Sequence, residues 1–289
     1  MIDTVKASSI MWVLLCYIKI IFGGIMGQEK IGDIKSKLAS INSMKIMEYK
    51  EKLEALGGFL AEYSSDERIG VQNLIKQADK TKVSLEKELQ RVDEMMYFEK
   101  KYEDDYSYIC GVDEVGRGPL AGPIVTAAVI LPKGLVIPYL NDSKQVPEKR
   151  REELYDIIIS NAVAYAIGMR TAEYIDDKGI SDADMSSMRD SVMGLSPAPD
   201  LILVDAFKIP GIDIKQVGIV KGDAKSVSIA AASIVAKVTR DRMMDEYDAK
   251  YPEYGFKSNK GYGSAKHLEA IQAFGPCEIH RRSFITKYI

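Results

Sequence analysis

Histidine and cysteine are scarce in this chain. Its 289 residues hold two histidines, His267 and His280, and three widely separated cysteines, Cys16, Cys110 and Cys277. With no CxxC and no Cys/His cluster, a zinc site or a disulfide framework is poorly supported, and a reducing compartment fits best. A bilayer-crossing run is lacking too. The most apolar stretch, residues 10–26 (IMWVLLCYIKIIFGGIM), is shorter than the ~20 residues a membrane helix needs, and Lys19 interrupts it. It has no clear small-x-small cleavage site, so a secretory signal is weak. Residues 1–25 are expected to be a dispensable extension with initiation at Met26, in preference to a membrane anchor. Nor is there a large charge excess: a net charge of −3 gives no overall basic footprint for nucleic acid. The charge is uneven, however. Residues 257–289 hold six Lys/Arg against two acids, a local balance of +4. Such a balance suits phosphate contacts and a plain solvated face equally.

What is present reads as a globular protein. A hydrophobic fraction of 46% and a charged fraction of 28% argue against global disorder. From residue 31 to about 101 the apolar period is helical: Ile31, Ile34, Leu38 and Ile41 make one stripe, and Leu53, Leu56, Leu60, Val71, Leu74 and Ile75 continue the theme. Gly57-Gly58 and Ser64-Ser65-Asp66 punctuate these runs, the latter as an N-cap. Glu103-Asp104-Asp105 reads as a linker, so a helical accessory domain is expected over 26–103 and a second domain over 104–289. In the second domain, short β-rich runs fall at 108–113, 125–131, 162–169, 201–205 and 214–220. Helical patterns fall at 147–160, 182–195 and 226–250. The fold class expected is α/β, a mixed five-stranded sheet flanked by helices, with a C-terminal helical region and a small N-terminal all-helical module.

Four acids stand at strand ends or turns: Asp113 and Glu114 in GVDEVGRGPLAGP, Asp205 closing LILVD, and Asp223 in KGDAKS. Strand termini of open α/β sheets are where sites form. Clustered acids repel one another unless cations neutralise them. Oxygen donors without nearby His or Cys select hard ions, Mg²⁺ or Mn²⁺, and two such ions suit phosphodiester hydrolysis. Any one of these acids alone reads better as a cap or a solvated turn than as a ligand. Neighbouring strand residues point to opposite faces. Asp113 and Glu114 can therefore share a metal only if the strand bends or ends at this pair, a change that Gly116 and Gly118 permit.

Five ordered blocks resemble the ribonuclease HII family: YICGVDEVGRGPLAGPIVTAAVIL, NDSKQVPEKRREELY, LILVDAF, KGDAKSVSIAAASIVAKVTRDRMM and YPEYGFKSNKGYGSAKHLEAIQAFGPCEIHRRSF. They run from about residue 108 to 284. The resemblance implies a ribonuclease H-like fold with Asp113, Glu114, Asp205 and Asp223 as catalytic metal ligands. It implies that Gly116, Arg117 and Gly118 lie against the nucleic-acid backbone at a ribonucleotide, where the 2′-hydroxyl distinguishes RNA from DNA. Tyr262 in KGYG matches the ring that packs on the sugar at the DNA side of the RNA–DNA junction. Ser143 and Lys144 match a phosphate-holding segment, and Lys221 and Lys225 flank Asp223 for phosphate or for a structural salt bridge. The implied activity is endonucleolytic cleavage 5′ to a ribonucleotide, in RNA–DNA hybrids and in DNA duplexes with embedded ribonucleotides, by a cytoplasmic monomer that initiates ribonucleotide removal. A ribonuclease HIII-like enzyme is the nearest rival, though its loop would lack Gly-Arg-Gly. A non-catalytic nucleic-acid-binding protein is the rival of another class, and four intact acids facing a phosphate backbone argue against it.

Overall fold

The structure, a computed structural model, describes residues 28–289. Cys16 and the extension expected over 1–25 lie outside the described residues. The chain divides into two compact units between Glu86 and Lys87.

The first unit contains α1 (Ile31–Asn42), α2 (Tyr49–Tyr63) and the start of α3 (Ile69–Met95), inside which the division falls. Ile34, Leu38, Leu56, Phe59, Tyr63, Val71 and Ala78 form its core. Ile31, expected in the buried stripe, is 40% exposed because it is the first residue of α1. The Asp66 carboxylate accepts the Arg68 N–H at 3.0 Å and pairs with the Arg68 guanidinium, which shapes the turn ahead of α3.

The second unit begins with the last turns of α3 and α4 (Tyr97–Tyr102) and is built on five strands. These are β1 (Ile109–Val115), β2 (Ile124–Ile130), β3 (Ala164–Arg170), β4 (Leu201–Asp205) and β5 (Lys215–Ile219), in spatial order β3-β2-β1-β4-β5. β1 pairs antiparallel with β2, as β2 does with β3, whereas the β1–β4 and β4–β5 pairs are parallel. The helices are α5 (Glu148–Asn161), α6 (Ala172–Lys178), α7 (Ile180–Met193) and α8 (Val227–Lys250), followed by the C-terminal α9 (Phe256–Asn259), α10 (Ala265–Phe274) and α11 (Arg282–Ile285).

The alternation of β side chains sorts the core into two layers. Cys110, Val112, Ile202 and Val204 pack with Met188 and Val192 of α7 on one face. Ile109, Leu201, Leu203 and Ile219 pack with Ile229 of α8 on the other. Each fully buried Leu or Ile contributes about 1.5–3 kcal/mol, so both faces hold their helices firmly. The Ser226 hydroxyl accepts the Ile229 N–H and starts α8, and small residues 230–232 let it lie close to the sheet. At Gly111 contact is closest: a Cβ there would sit 2.0 Å from the Ser228 carbonyl carbon. Among the described residues no helix is long and apolar enough to cross a membrane.

Candidate active site

The parallel register fixes the first part of the site. Val112 lies opposite Val204, so the next residues, Asp113 and Asp205, leave the sheet side by side. Both fall on the α8 face, opposite the buried valines. The expected bend at Asp113-Glu114 is not what occurs. β1 stays regular, pairing with β2 as far as Val115 and Val125, and turns only at Gly116, whose φ is +97°. Glu114 therefore points to the α7 side. It still shares the field of Asp205 because β4 ends at that residue, which leaves this flank of β1 without a neighbouring strand. Asp205 Oδ1 accepts the Gly222 N–H at 2.8 Å, fastening the 3-10 turn Gly222–Ala224 that carries Asp223.

These acids are held uncomfortably. Burial, then the charges of Glu114 and Asp205, push Asp113 well above the usual carboxylate range; hydrogen bonds from Ser233 and the Glu114 N–H oppose this only in part. Glu114 is pushed up to about 7 by burial and by the charges of Asp184 and Asp205, against the relief given by Arg117. Burial, Asp142 and Asp205 raise Asp223. Asp113 Oδ1 is turned onto the Glu114 N–H at 2.8 Å. Among the described residues no three acid, histidine or cysteine side chains already converge at metal-ligand spacing. The donor chemistry nevertheless fits a hard divalent ion: oxygen atoms only, mutually repelling and short of counter-charge.

The remaining expected residues divide. Ser143 is buried, its hydroxyl 3.0 Å from that of Ser233, which in turn bonds Asp113. Ser143 thus stands behind the acids, linked to Asp113 through Ser233. Burial lowers the pKa of the Lys144 ammonium, but the nearby charges of Asp142, Asp113, Asp223 and Glu114 outweigh it and raise the group overall. Lys221 and Lys225 are exposed on either side of the Asp223 turn and make no ion pair among the described residues. Arg117 pairs with Asp184 of α7 while staying 42% exposed. Gly118 and Tyr262 meet: a Cβ on Gly118 would lie 3.8 Å from the Tyr262 ring, which is 47% exposed. Gly261 O accepts the Leu120 N–H at 2.8 Å and so ties the two glycine-bearing loops together.

Three features escaped the sequence reading. Asp184 is wholly buried, with Oδ2 on Arg117 and Oδ1 unpartnered; burial pushes it up to about 6 against the pull of Arg117. Together with Glu114, Arg117, Asp205 and Phe207 it lines a cleft of about 230 Å³. An acid inside the stripe 184, 187, 188, 191 was the signal available. The histidines form a directed chain. Cys277 N–H donates to His280 Nδ1 (3.0 Å), so His280 Nε2 carries the proton toward His267 Nε2 (3.0 Å), and His267 Nδ1–H donates to Tyr262 O (2.8 Å). Lastly, Arg240 and Arg281 are fully buried next to both loops.

A family model described as Ribonuclease HII matches residues 110–287, and one described as Ribonuclease HII N-terminal domain matches residues 30–103. A ribonuclease HII of Lachnoclostridium phytofermentans is 51% identical over 248 residues, 84% of this chain and 97% of that one. That of Clostridioides difficile strain 630 is 46% identical over 265 residues, 91% and 100% of the two chains. The crystal structure of ribonuclease H2 from Pyrococcus horikoshii OT3 superposes with a TM-score of 0.53 at 28% identity, covering 63% of this chain and 96% of that one.

Proposed function

The chain belongs to the ribonuclease HII family and is a ribonuclease H-type endonuclease, and from that premise we propose that it cuts the phosphodiester 5′ to a ribonucleotide in hybrids and in otherwise DNA duplexes. The products are a 5′-phosphate on the ribonucleotide and a 3′-hydroxyl upstream, and the biological role is to initiate ribonucleotide removal in the cytoplasm, the protein acting as a monomer. One observation carries the reading: the under-neutralised acids Glu114 and Asp205 line one cleft with Asp184 and its partner Arg117, the neighbour of the Gly118 that meets the Tyr262 ring.

Asp113, Glu114, Asp205 and Asp223 would hold Mg²⁺ or Mn²⁺, two ions at a time. When bound, the ions supply positive charge against the negative charge that develops on the phosphodiester and lower the pKa of water. The protein's own groups orient and select. Lys144 and the exposed side of Arg117 draw the phosphates toward the acids. Residues 116–118, with glycine on either side of Arg117, let a sugar approach the backbone closely enough for its 2′-hydroxyl to be sensed. The Tyr262 ring packs on the next sugar and leaves no room for a second 2′-hydroxyl, which favours an isolated ribonucleotide. Lys221 and Lys225 extend the positive border around Asp223.

The test is cleavage of a labelled DNA duplex with one ribonucleotide, in Mg²⁺, Mn²⁺ or chelator, beside an all-RNA/DNA hybrid. A single cut 5′ to the ribonucleotide, lost with chelator and in Asp205→Asn, is the expected result. Cutting of the long hybrid alone would favour a HIII-like specificity, and binding without any cut would overturn the proposed chemistry.

A further inference from the structure

Arg240 and Arg281 are buried beside the substrate loops without a carboxylate partner among the described residues, and each of their guanidinium nitrogens meets a main-chain carbonyl instead. Arg281 donates from Nε to Gly122 O (3.0 Å), from Nη1 to Arg117 O (2.9 Å) and from Nη2 to Gly116 O (2.5 Å). Arg240 in α8 donates from Nε to Pro123 O (2.9 Å), from Nη1 to Lys260 O (2.8 Å) and from Nη2 to Ala121 O (3.1 Å). Burying two like charges together is unfavourable. Burial and then the charge of Arg240 pull Arg281 down to about 9. An apolar residue could fill this space more cheaply, so the arrangement needs a reason beyond packing.

Peptide geometry supplies it. In a trans peptide the carbonyl and the following N–H point in opposite directions, and the one cis bond among the described residues is Ser196-Pro197. Drawing the Gly116 and Arg117 carbonyls inward onto Arg281 therefore turns the Arg117 and Gly118 N–H groups outward. Neither N–H donates to a protein acceptor among the described residues, whereas the N–H groups of Leu120 and Ala121 are taken by Gly261 O. Gly118 carries no side chain to cover its N–H. Two adjacent outward donors make a concavity for oxygen acceptors.

We propose that Arg281 is a positioning residue for substrate recognition: its guanidinium holds the 116–117 and 117–118 peptide planes so that the Arg117 and Gly118 N–H groups meet the 2′-hydroxyl and adjacent phosphate of a ribonucleotide. The inference rests on the function proposed above. Arg240 fixes the next turn of the same loop in the same way.

Arg281→Lys keeps the charge and loses the fork. On the single-ribonucleotide duplex it is expected to raise KM by about tenfold or more while kcat changes less than about threefold, the pattern for lost substrate contacts. A role in stability alone would lower kcat through the active fraction at unchanged KM, and that result, or no change at all, overturns the proposal. A second measurement does not depend on the variant folding. In ¹⁵N-labelled wild type with chelator, the Arg117 and Gly118 amide resonances should move with the ribonucleotide duplex and not with the all-DNA duplex. No movement, or equal movement with both, overturns the proposal. Wild type that fails to cut the ribonucleotide duplex in Mg²⁺ and Mn²⁺ sinks the proposed function. Wild type that cuts it, beside an Arg281→Lys protein of unchanged KM, sinks the clamp alone.

Discussion

The acid cluster at the ends of β1 and β4 and the arginine pair beneath the Gly116–Gly118 loop both bury charge of one sign, yet the protein answers only one of them. Arg240 and Arg281 have a carbonyl at every guanidinium nitrogen. Asp113 and Glu114 have mainly each other, Asp205 and Asp184, and their carboxyls are pushed up as a result. The arginine region is finished as folded, whereas on the function proposed above the acid region is completed by a cation brought from outside. Charge removal should therefore act in opposite directions: it costs stability at the arginines and relieves strain at the acids.

The largest effect should be on turnover at the acids. Asp205→Asn is expected to lower cleavage of the single-ribonucleotide duplex about 10³-fold or more, roughly 4 kcal/mol of transition-state stabilisation, with no loss of melting temperature. A lowered melting temperature would make the defect structural. Next comes the opposite region. Arg240→Ala leaves three buried carbonyls without donors, and urea unfolding in chelator should show about 3 kcal/mol or more lost. A near-neutral result would mean that the carbonyls find water and that the clamp is not essential to the fold.

A third, smaller effect separates the loops from the acids by its pH sign. Burial and then His267 hold His280 down at about 4, against an ordinary 6.5. The folded state thus binds this proton less readily than the unfolded state. The contribution is complete above pH 6.5 and is lost as pH falls through about 4, an effect on the order of 2–3 kcal/mol. Melting curves in Mg²⁺ from pH 7 to 4 should therefore fall more steeply for wild type than for His280→Gln. Equal slopes would dissolve the link between the histidine chain and stability of the Tyr262 loop.

The sheet was open to reading from the sequence because its strands are apolar runs bounded by glycine, proline and acids. LILVD gives β4 residue for residue, and 226–250 differs from α8 only by the capping Ser226. The four acids were conspicuous as a set, since any one of them alone reads as a cap or a solvated turn. Other features lay beyond local pattern. The continuation of β1 to Val115 depends on β2 pairing, which no residue of the DEV segment announces. Arg240 and Arg281 belong to a residue type that is almost always exposed, and only the convergence of six distant carbonyls shows that they are buried. The burial of Ser143 was not legible in the polar DSK segment, because it is α8 that brings Ser233 onto it.

The most direct test of the incomplete acid cluster is a thermal melt of wild type and Asp113→Asn at pH 8, first in chelator and then with Mn²⁺. Raised carboxyl pKa values mean that the folded state holds these protons more tightly, so the metal-free protein loses stability as pH rises through the range where Glu114 ionises, up to about 7. Removing one charge should stabilise the metal-free fold by about 1 kcal/mol, a rise of roughly 2–4 °C for a domain of this size. Wild type should then gain from Mn²⁺ while Asp113→Asn gains little. If instead the variant melts below wild type in chelator and both proteins respond alike to Mn²⁺, the cluster is complete without a cation and the account of the site is wrong.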